Sequence, residues 1–576
     1  MNFKVSLVVF FLVVLTQQRV EAQSTFVPLN DDYYHLIDRY EIKSGKLSES
    51  FHSTVKPFQR LAVIDLIDSI MADRKIPLGD RDFYNFEYLR NDSWEFSKSQ
   101  TPDSKKLLWN RFYKKPSDFY YSQVDNVDLH VNPVMLTTLG QENNTASMLW
   151  TTARGVEIRG MIANKLGFYT FVTDTQGTFP EYVRDYTDYA AKVKIYAPNT
   201  FNIPGETLAK VLRRTGADFL SARGYITFST LKQKVNFQFG HDRNFYGSGF
   251  RSMILSDFAT SYLFLKINTH LGRFRYTNLF CSLINDQVGR FQDEVIPKKM
   301  VVIHHLSTNL GKNLNVGVFE AEVLSRTRQQ GFEINYLNPI IFYRFVESYL
   351  GSSDNALLGV DAKWNVRKKI SMYGQFILDE FLTRDIVSGR GSWANKYAAQ
   401  VGVKYIDALG IKNLDLQAEY NLARPYIYSH KDGFTNYVQN NQPLAHPQGA
   451  NFRELIGIVR YQPIRRLTLY GTLMLNTYGA DDQYNRGGNP LISYNQRPGL
   501  LVDKKFDLDN FIGQGHTVRT TFTDLRLTYM LKHNLFLEAR QLFRTADCPT
   551  NALLNSKTTM SSFSIRYNLA YRQQVF

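Results

Sequence analysis

The feature that most constrains the fold of this chain is a period-two alternation of apolar and polar residues from about residue 150 onward. Near the C-terminus, Phe563, Ile565 and Tyr567 alternate with Ser564 and Arg566. Successive side chains of a β-strand point to opposite faces, so such a segment has one apolar and one polar face. The alternation predicts a mostly β protein. It recurs in the segments 263–271, 414–420, 467–475 and 525–531.

Two β architectures show this alternation, a soluble sandwich or propeller and a membrane-spanning barrel. The repeated segments approach the roughly 9–11 residues with which a tilted strand crosses a bilayer, and the sequence ends at Phe576 directly after such a segment. We therefore predict a large transmembrane antiparallel β-barrel over residues 146–576, with about 16–18 strands at roughly 24 residues per strand and connection. Aromatic residues near the segment ends are expected to form its interfacial girdles: Tyr225/Phe228, Tyr262/Phe264, Tyr276/Phe280 and Tyr567/Tyr571.

The N-terminus predicts export from the cytoplasm. Lys4 precedes the apolar stretch Val5–Leu15, and Val20–Ala22 resembles a small-residue cleavage site. This order is typical of a secretory signal peptide, which we place at residues 1–22 and expect to be cleaved. No run of eighteen or more apolar residues occurs, and this excludes a helical membrane protein.

Residues 23–145 lack the alternation and are predicted to be a small helical region that packs against the remainder. The clearest helix is Val55–Met71, where Thr54 suits the N-cap and Pro57 suits the first turn. Asp82–Arg90 and Ser104–Tyr113 are predicted as two further short helices.

The chain is basic, with 68 Lys+Arg against 53 Asp+Glu and a formal net charge of +15. Export and the even spread of these charges argue against nucleic acid as a partner. On the alternating segments, several basic residues occupy the polar phase, which would line the lumen of a barrel. They would either attract anionic solutes, or contact lipopolysaccharide phosphates and internal acids. They are Lys266, Lys363, Arg526, Arg540, Arg566 and Arg572.

No enzyme motif is present. Gly247–Gly249 lacks the strand–elbow–helix context of a nucleophile, and His304 and His305 would face opposite sides of a strand. Two cysteines, Cys281 and Cys548, exclude a disulfide scaffold. We predict a protein that is not an enzyme and needs no cofactor.

Two stretches carry candidate binding residues. Residues 240–256 combine glycines with directional polar groups, which suit either a sugar or an internal polar network. The long loops 426–451 and 480–515 are rich in Asn, Gln, Gly, Tyr and His, and their residues serve either binding or loop anchoring. The candidates for polysaccharide binding are Asp242, Arg243, Asn244, Tyr246, Arg424, Tyr426, Tyr428, His430, His446 and Asn451.

An ordered series of motifs resembles the capsule-assembly Wzi-like family, and in particular its Bacteroidetes branch with the gliding motility protein RemB. The resemblance covers roughly residues 28–576. The motifs that carry it are Asn132–Pro133, Thr152–Gly160, Lys165–Tyr169, Gly240–Gly249, Ser252–Ser256, Asn338–Pro339, Ser353–Asn355, Leu358–Asp361, Arg424–His430 and Leu444–Phe452.

The resemblance implies a barrel in the outer membrane of a Gram-negative cell, with the helical region at its periplasmic mouth. It also implies binding or anchoring of surface or capsular polysaccharide, with a link to gliding motility or adhesion. The implied partners are outer-membrane lipid and lipopolysaccharide, the surface polysaccharide, and proteins of motility or secretion machinery. Two alternatives stay open: a channel for anionic solutes, and an accessory subunit of a secretion or motility complex.

Overall fold

A computed structural model describes residues 24–97, 112–143, 148–192, 200–206, 208–212, 216–284, 298–325, 354–380 and 389–571. Within these ranges, no helix has both the length and the apolar character needed to cross a membrane. The predicted signal peptide and the larger part of the predicted helix Ser104–Tyr113 lie outside the described residues.

The described strands form a closed antiparallel barrel of 18 strands. Each strand pairs with its neighbour along the chain, and the last strand closes on the first, with Phe563 opposite Leu139. This confirms the predicted large barrel and its strand number. The strands are β1 (Val127–Glu142), β2 (Leu149–Ile162), β3 (Leu166–Thr178), β4 (Gly216–Thr230), β5 (Val235–Asp242), β6 (Tyr262–Leu271), β7 (Phe274–Ile284), β8 (Lys298–Leu310), β9 (Leu314–Ser325), β10 (Asn355–Val366), β11 (Ile370–Leu378), β12 (Tyr397–Tyr405), β13 (Leu414–Ala423), β14 (Phe452–Ile464), β15 (Leu467–Ala480), β16 (His516–Lys532), β17 (Leu535–Asp547) and β18 (Ser556–Tyr567).

The alternation of the sequence separates the two faces of the wall. On β16, Leu525 and Leu527 are 48% and 43% exposed on the outer face, whereas Arg526 between them is 4% exposed and points into the lumen. On β18, Phe563 and Ile565 lie outside and Arg566 lies inside. The apolar outer face and polar inner face are those of a transmembrane barrel.

Part of the predicted aromatic girdle is wrong. Tyr225, Tyr262 and Phe264 are at most 6% exposed and lie on the inner face of the wall. Tyr571 also lies in the lumen, where its hydroxyl donates to Asp524. The lumen is filled with protein, so its inner positions hold bulky rings that would otherwise be expected at the lipid interface. Tyr225, for example, stacks edge-on against Phe26 of the N-terminal region, with ring centroids 5.7 Å apart.

Three helices form the N-terminal region: α1 (Asp31–Ser44), α2 (Arg60–Ala72) and α3 (Asp80–Asp92). The predicted helix Asp82–Arg90 lies within α3 and is confirmed. The predicted start of α2 at Val55 is wrong, because Val55–Lys56 is instead a short strand that pairs with Phe245–Tyr246 inside the barrel.

The helices close the end of the barrel where the connections between strands are short. Tyr33 of α1 donates a hydrogen bond of 3.0 Å to Asn534 in the β16–β17 turn. Leu47 N–H donates to Lys312 O in the β8–β9 turn at 2.7 Å. Gly45 ends α1 at φ 73°, and a Cβ there would lie 2.6 Å from Lys368 in another turn. We call residues 24–97 the plug.

The wall begins earlier than the predicted boundary at residue 145. Tyr120–Val124 pairs with the start of β1, and β1 itself occupies Val127–Glu142. These residues therefore belong to the barrel rather than to the helical region. β1 shows the same two faces as the rest of the wall, with the buried polar residues His130 and Asn132 inside and Leu129 and Val131 outside.

Candidate functional site

The chain leaves the wall after β5 and crosses the lumen before it returns at β6. This inward segment, residues 243–260, lies on the plug at one side, where Gly247 N–H donates to Thr54 O at 2.7 Å. Its apolar residues Met253, Ile254 and Leu255 are at most 1% exposed. They pack in a core that joins the wall strands β6–β13 to residues of the loop 424–451.

Glu419 on β13 is the main polar anchor of the inward segment. It is 1% exposed, and its carboxylate accepts five hydrogen bonds. Two of the donors are backbone N–H groups of the inward segment, so the carboxylate fixes the segment against the wall. The donors are Phe250 N (2.7 Å), Arg251 N (3.0 Å), Tyr373 Oη (2.7 Å), Gln400 Nε2 (3.3 Å) and Asn421 Nδ2 (2.9 Å).

The candidates Asp242, Arg243, Asn244 and Tyr246 lie at the start of the inward segment. Asn244 and Tyr246 are fully buried, and Asn244 accepts a hydrogen bond of 2.9 Å from Lys266. Asp242 accepts from Arg243 N–H at 2.8 Å. The surroundings are those of the internal polar network, and a sugar contact at these residues stays a prediction.

A cavity of about 340 Å³ lies beside the inward segment, toward strands β1–β4, β17 and β18. Arg243, Phe250 and Arg251 line it from the inward segment, and Arg540 and Tyr571 line it from the opposite side. The helix α4 (Glu181–Lys192) contributes Tyr182 to the lining, at the long-loop end. The lumen is therefore packed on one side and hollow on the other.

Acidic side chains pair with Lys363, Arg540 and Arg566 of the predicted lumen residues, whereas Lys266 donates a hydrogen bond to Asn244. Lys363 contacts Asp38 and Glu41 of the plug at 2.6 Å each. Arg566 contacts Asp32 of the plug at 3.0 Å and Glu538 of the wall at 2.9 Å. Of the two interpretations of these residues, the structure supports pairing with internal acids. Arg540 pairs with Asp524, Arg526 stacks on Tyr571, and Arg572 lies outside the described residues.

Three long connections meet at the other end of the barrel. We call their described parts, residues 389–396, 424–451 and 481–515, the cap. Arg424 joins all three, because its guanidinium donates to Asn395 O (3.2 Å), Asn510 O (2.9 Å) and Ser392 O (3.0 Å). Asn451 donates to Gly479 O at 3.2 Å and to Gln514 O at 2.9 Å. Both side chains hold the loops together.

The other loop candidates are also buried in the cap. Tyr426 and Tyr428 are 3% and 1% exposed, and Tyr428 Oη donates to Met253 O at 2.8 Å. His446 Nε2 lies 2.8 Å from a carboxylate oxygen of Glu454. Of the two interpretations of these residues, the contacts match loop anchoring, and a sugar-binding role for them stays a prediction.

A partly buried aromatic cluster lies where the three parts of the cap meet. The rings of Trp393 and Tyr494 are 4.9 Å apart, and the guanidinium of Arg497 lies 3.8 Å from the centre of the Trp393 ring. Arg497 is fixed by Asp507 at 2.9 Å. We call Trp393, Tyr494 and Arg497 the surface cluster. Partly exposed aromatic rings that lie beside a hydrogen-bond donor such as a guanidinium can stack on the apolar face of a sugar.

Sequence reasoning missed the surface cluster. Trp393 and Tyr494 are about a hundred residues apart in the chain, and the loops that bring them together are tied by backbone contacts such as Trp393 N–H to Asp507 O at 3.0 Å. The aromatic and polar composition of the loop 480–515 indicates a candidate binding region. It does not indicate that Tyr494 and Trp393 lie together.

His430 connects the surface cluster to the buried part of the cap. Its ring lies 5.8 Å from that of Tyr494, and its Nδ1 lies 2.6 Å from Thr435 Oγ1. Burial, with the nearby charges of Lys396 and Lys431, lowers the pKa of His430 to about 4. Burial likewise raises the pKa of Asp379, which accepts from Tyr428 N–H, to about 6.

Acidification is therefore expected to loosen the cap. An unfolded histidine takes up a proton near pH 6.5, whereas folded His430 stays neutral to about pH 4. The contribution of His430 falls by about 2 kcal/mol at pH 5. Protonation of Asp379, whose pKa is raised in the folded state, offsets roughly 1 kcal/mol of this loss. Limited proteolysis of the cap at pH 7.5 and pH 5 measures the change. The difference in cleavage rate between the two pH values should shrink in His430→Gln and persist in His241→Gln, which replaces an exposed histidine. An unchanged difference in His430→Gln would show that His430 does not cause the loosening of the cap.

The fold defines the class of this protein: an outer-membrane β-barrel with a helical plug at one mouth and a cap of folded loops at the other. No protein-family model matches the chain, and no curated protein matches it.

Among solved structures, the chain is similar to Wzi, an outer membrane protein involved in group 1 capsule assembly in Escherichia coli and a carbohydrate-binding β-barrel. The TM-score is 0.56 and the identity 10%, over 95% of this chain and 100% of that one. Weaker similarities include OprD of Pseudomonas aeruginosa, with a TM-score of 0.40 and 9% identity over 76% of this chain and 94% of that one. OccAB2 of Acinetobacter baumannii gives a TM-score of 0.41 and 10% identity over 77% and 98%. The likeness to Wzi establishes a shared fold.

Proposed function

We propose that this protein is a non-enzymatic outer-membrane barrel that binds surface or capsular polysaccharide and anchors it to the cell. The observation that carries the proposal is the surface cluster, which three interlocked loops hold in a fixed position at the long-loop end. A fixed aromatic platform loses little conformational entropy on binding. More of the favourable free energy of ring stacking on a sugar therefore contributes to affinity. Arg497 adds directional donors beside the rings.

Two further observations support a binding protein rather than an enzyme or a pore. The lumen contains the plug, the inward segment and a buried apolar core that includes residues of the cap. The carbohydrate-binding barrel Wzi has the same fold. The resemblance of the sequence motifs to the Wzi-like family adds two further parts to the proposal. These are a role in gliding or adhesion and contacts with motility or secretion proteins.

The cellular test is a gene deletion that is complemented with variants. Loss of the protein should release surface polysaccharide into the medium and reduce spreading on a surface. The wild-type gene should restore retention, whereas Trp393→Ala should not. Trp364, which is 47% exposed on the outer face of β10, provides the matched control, because Trp364→Ala removes the same ring from outside the cap. Normal retention in the deletion strain would refute the proposal.

The second candidate function is a channel for anionic solutes, which the cavity beside the inward segment favours. The paired lumen charges and the plug argue against it. Planar-bilayer recordings of the purified protein separate the two functions. We expect no steady conductance from the wild-type protein. A stable, anion-selective conductance would favour the channel.

A further inference from the structure

The outer wall carries two arginines in a single row across neighbouring strands. Arg453 on β14 is in register with Thr477 on β15, and Thr477 is in register with Arg519 on β16. The two arginines are therefore two strand spacings apart, roughly 10 Å. Both face outward and both are exposed. Within the ranges that the structure describes, neither arginine makes an ion pair of 4.0 Å or less.

The row lies at the boundary of the apolar belt. The next outward residues toward the short-turn end are Leu455 on β14 and Leu475 on β15, which are 48% and 44% exposed. On the other side of the row, β14 and β16 begin at Phe452 and His516, directly after the cap. Arg453 thus lies where the apolar belt ends, and Arg519, which the outward residues Thr521 and Thr523 separate from Leu525, lies further into the headgroup region.

At this level, an outward arginine meets the phosphates of the lipid headgroups. A guanidinium forms bidentate, charge-assisted hydrogen bonds with phosphate. Two such groups, one on each side of the small residue Thr477, present a shallow site for a headgroup with two separated phosphates. The row continues beyond Arg519 to Asp547 on β17, so the positive site is limited to β14–β16 on that side.

We propose that Arg453 and Arg519 form a binding site for a bisphosphorylated glycolipid of the lipid A class in the outer leaflet. The site lies on the wall below the part of the cap that contains residues 424–451 and 481–515. There it holds the barrel at a fixed depth in the membrane. It is separate from the surface cluster, so failure of polysaccharide binding would leave it intact.

The test compares full-length protein in phosphatidylethanolamine vesicles that contain bisphosphorylated lipid A or the same lipid with its phosphates removed. After mild detergent extraction, native mass spectrometry counts the glycolipid that stays bound. The wild-type protein should retain the bisphosphorylated form at least tenfold better than the dephosphorylated form. The double variant Arg453→Gln/Arg519→Gln should lose this preference.

The matched control is Arg154→Gln. Arg154 is also an exposed, outward arginine, but Asp174 already pairs with it at 3.1 Å, so its loss should not change lipid retention. Equal retention by the wild type and the double variant would overturn the proposal. Displacement of the lipid by millimolar inorganic phosphate alone would also overturn it, because the site would then recognise free phosphate rather than a membrane lipid.

Discussion

Replacement of Glu419 by leucine is expected to lower the stability of the folded barrel by about 3–5 kcal/mol and to open the lumen to ions. The change removes the acceptor of five buried hydrogen bonds, two of them from backbone N–H groups of the inward segment. Buried donors without an acceptor cost about 1–3 kcal/mol each, and water that enters the site offsets part of the sum. The inward segment keeps its other contacts, among them the hydrogen bond from Gln375 to Tyr246 O and that from Gly247 N–H to Thr54 O.

Two measurements check this expectation. The shift in electrophoretic mobility after heating gives the temperature at which the folded barrel unfolds. Planar-bilayer recordings measure the conductance of the lumen. Glu419→Gln is the control, because its amide keeps one acceptor oxygen and should cost clearly less. A Glu419→Leu protein with wild-type thermal stability and a closed lumen would show that the inward segment does not depend on this carboxylate.

Replacement of Arg566 by leucine is expected to cost a similar 3–5 kcal/mol, because it leaves Asp32 and Glu538 buried without their cation. Burial alone would raise the pKa of Asp32, but the charge of Arg566 holds this pKa below its ordinary value. In the variant, the unpaired carboxyls favour the protonated form. The loss should therefore be largest at neutral pH and should shrink toward pH 4.

Thermal denaturation of both proteins at pH 7 and pH 4 measures the effect. Arg566→Lys serves as the control, since it keeps the positive charge but not the forked geometry, and it should lose less than the leucine variant. If Arg566→Leu were destabilised equally at both pH values, the loss would come from packing, and the charge linkage between plug and wall would be refuted.

The barrel could be predicted from the sequence because its signal is local. Each strand carries its own alternation, so Leu525, Arg526 and Leu527 reveal the two faces of β16 without reference to the rest of the chain. The helix α1 could not be predicted in this way. It is buried on more than one face, since Ile37 and Tyr40 lie in the apolar core of the plug while Arg39 and Glu41 are each 1% exposed.

The charges of α1 have partners that are distant in the sequence. Arg39 pairs with Asp415 of the wall and with Asp407, more than 360 residues further along the chain. A pattern search that expects charged residues to face solvent misreads such a helix, because the acids that pair with its buried charges are visible only in the fold.

The same limit applies to the candidate site. Residues such as Arg424 and Asn451 were found because their loops are rich in polar and aromatic residues, yet their hydrogen bonds join loops to one another. The composition of a loop indicates that it is polar and aromatic. Only the folded cap shows which side chains are buried and join loops, and which, such as Trp393, stay partly exposed.

Titration of the purified full-length protein with surface polysaccharide from its own cells measures whether the cap binds polysaccharide through the surface cluster. The wild type and Trp364→Ala should bind equally, and Trp393→Ala should bind at least tenfold more weakly, a loss of about 1.4 kcal/mol or more. Thermal stability should be the same for all three proteins. Undiminished binding by Trp393→Ala, or no binding by the wild type, would contradict polysaccharide binding through this cluster.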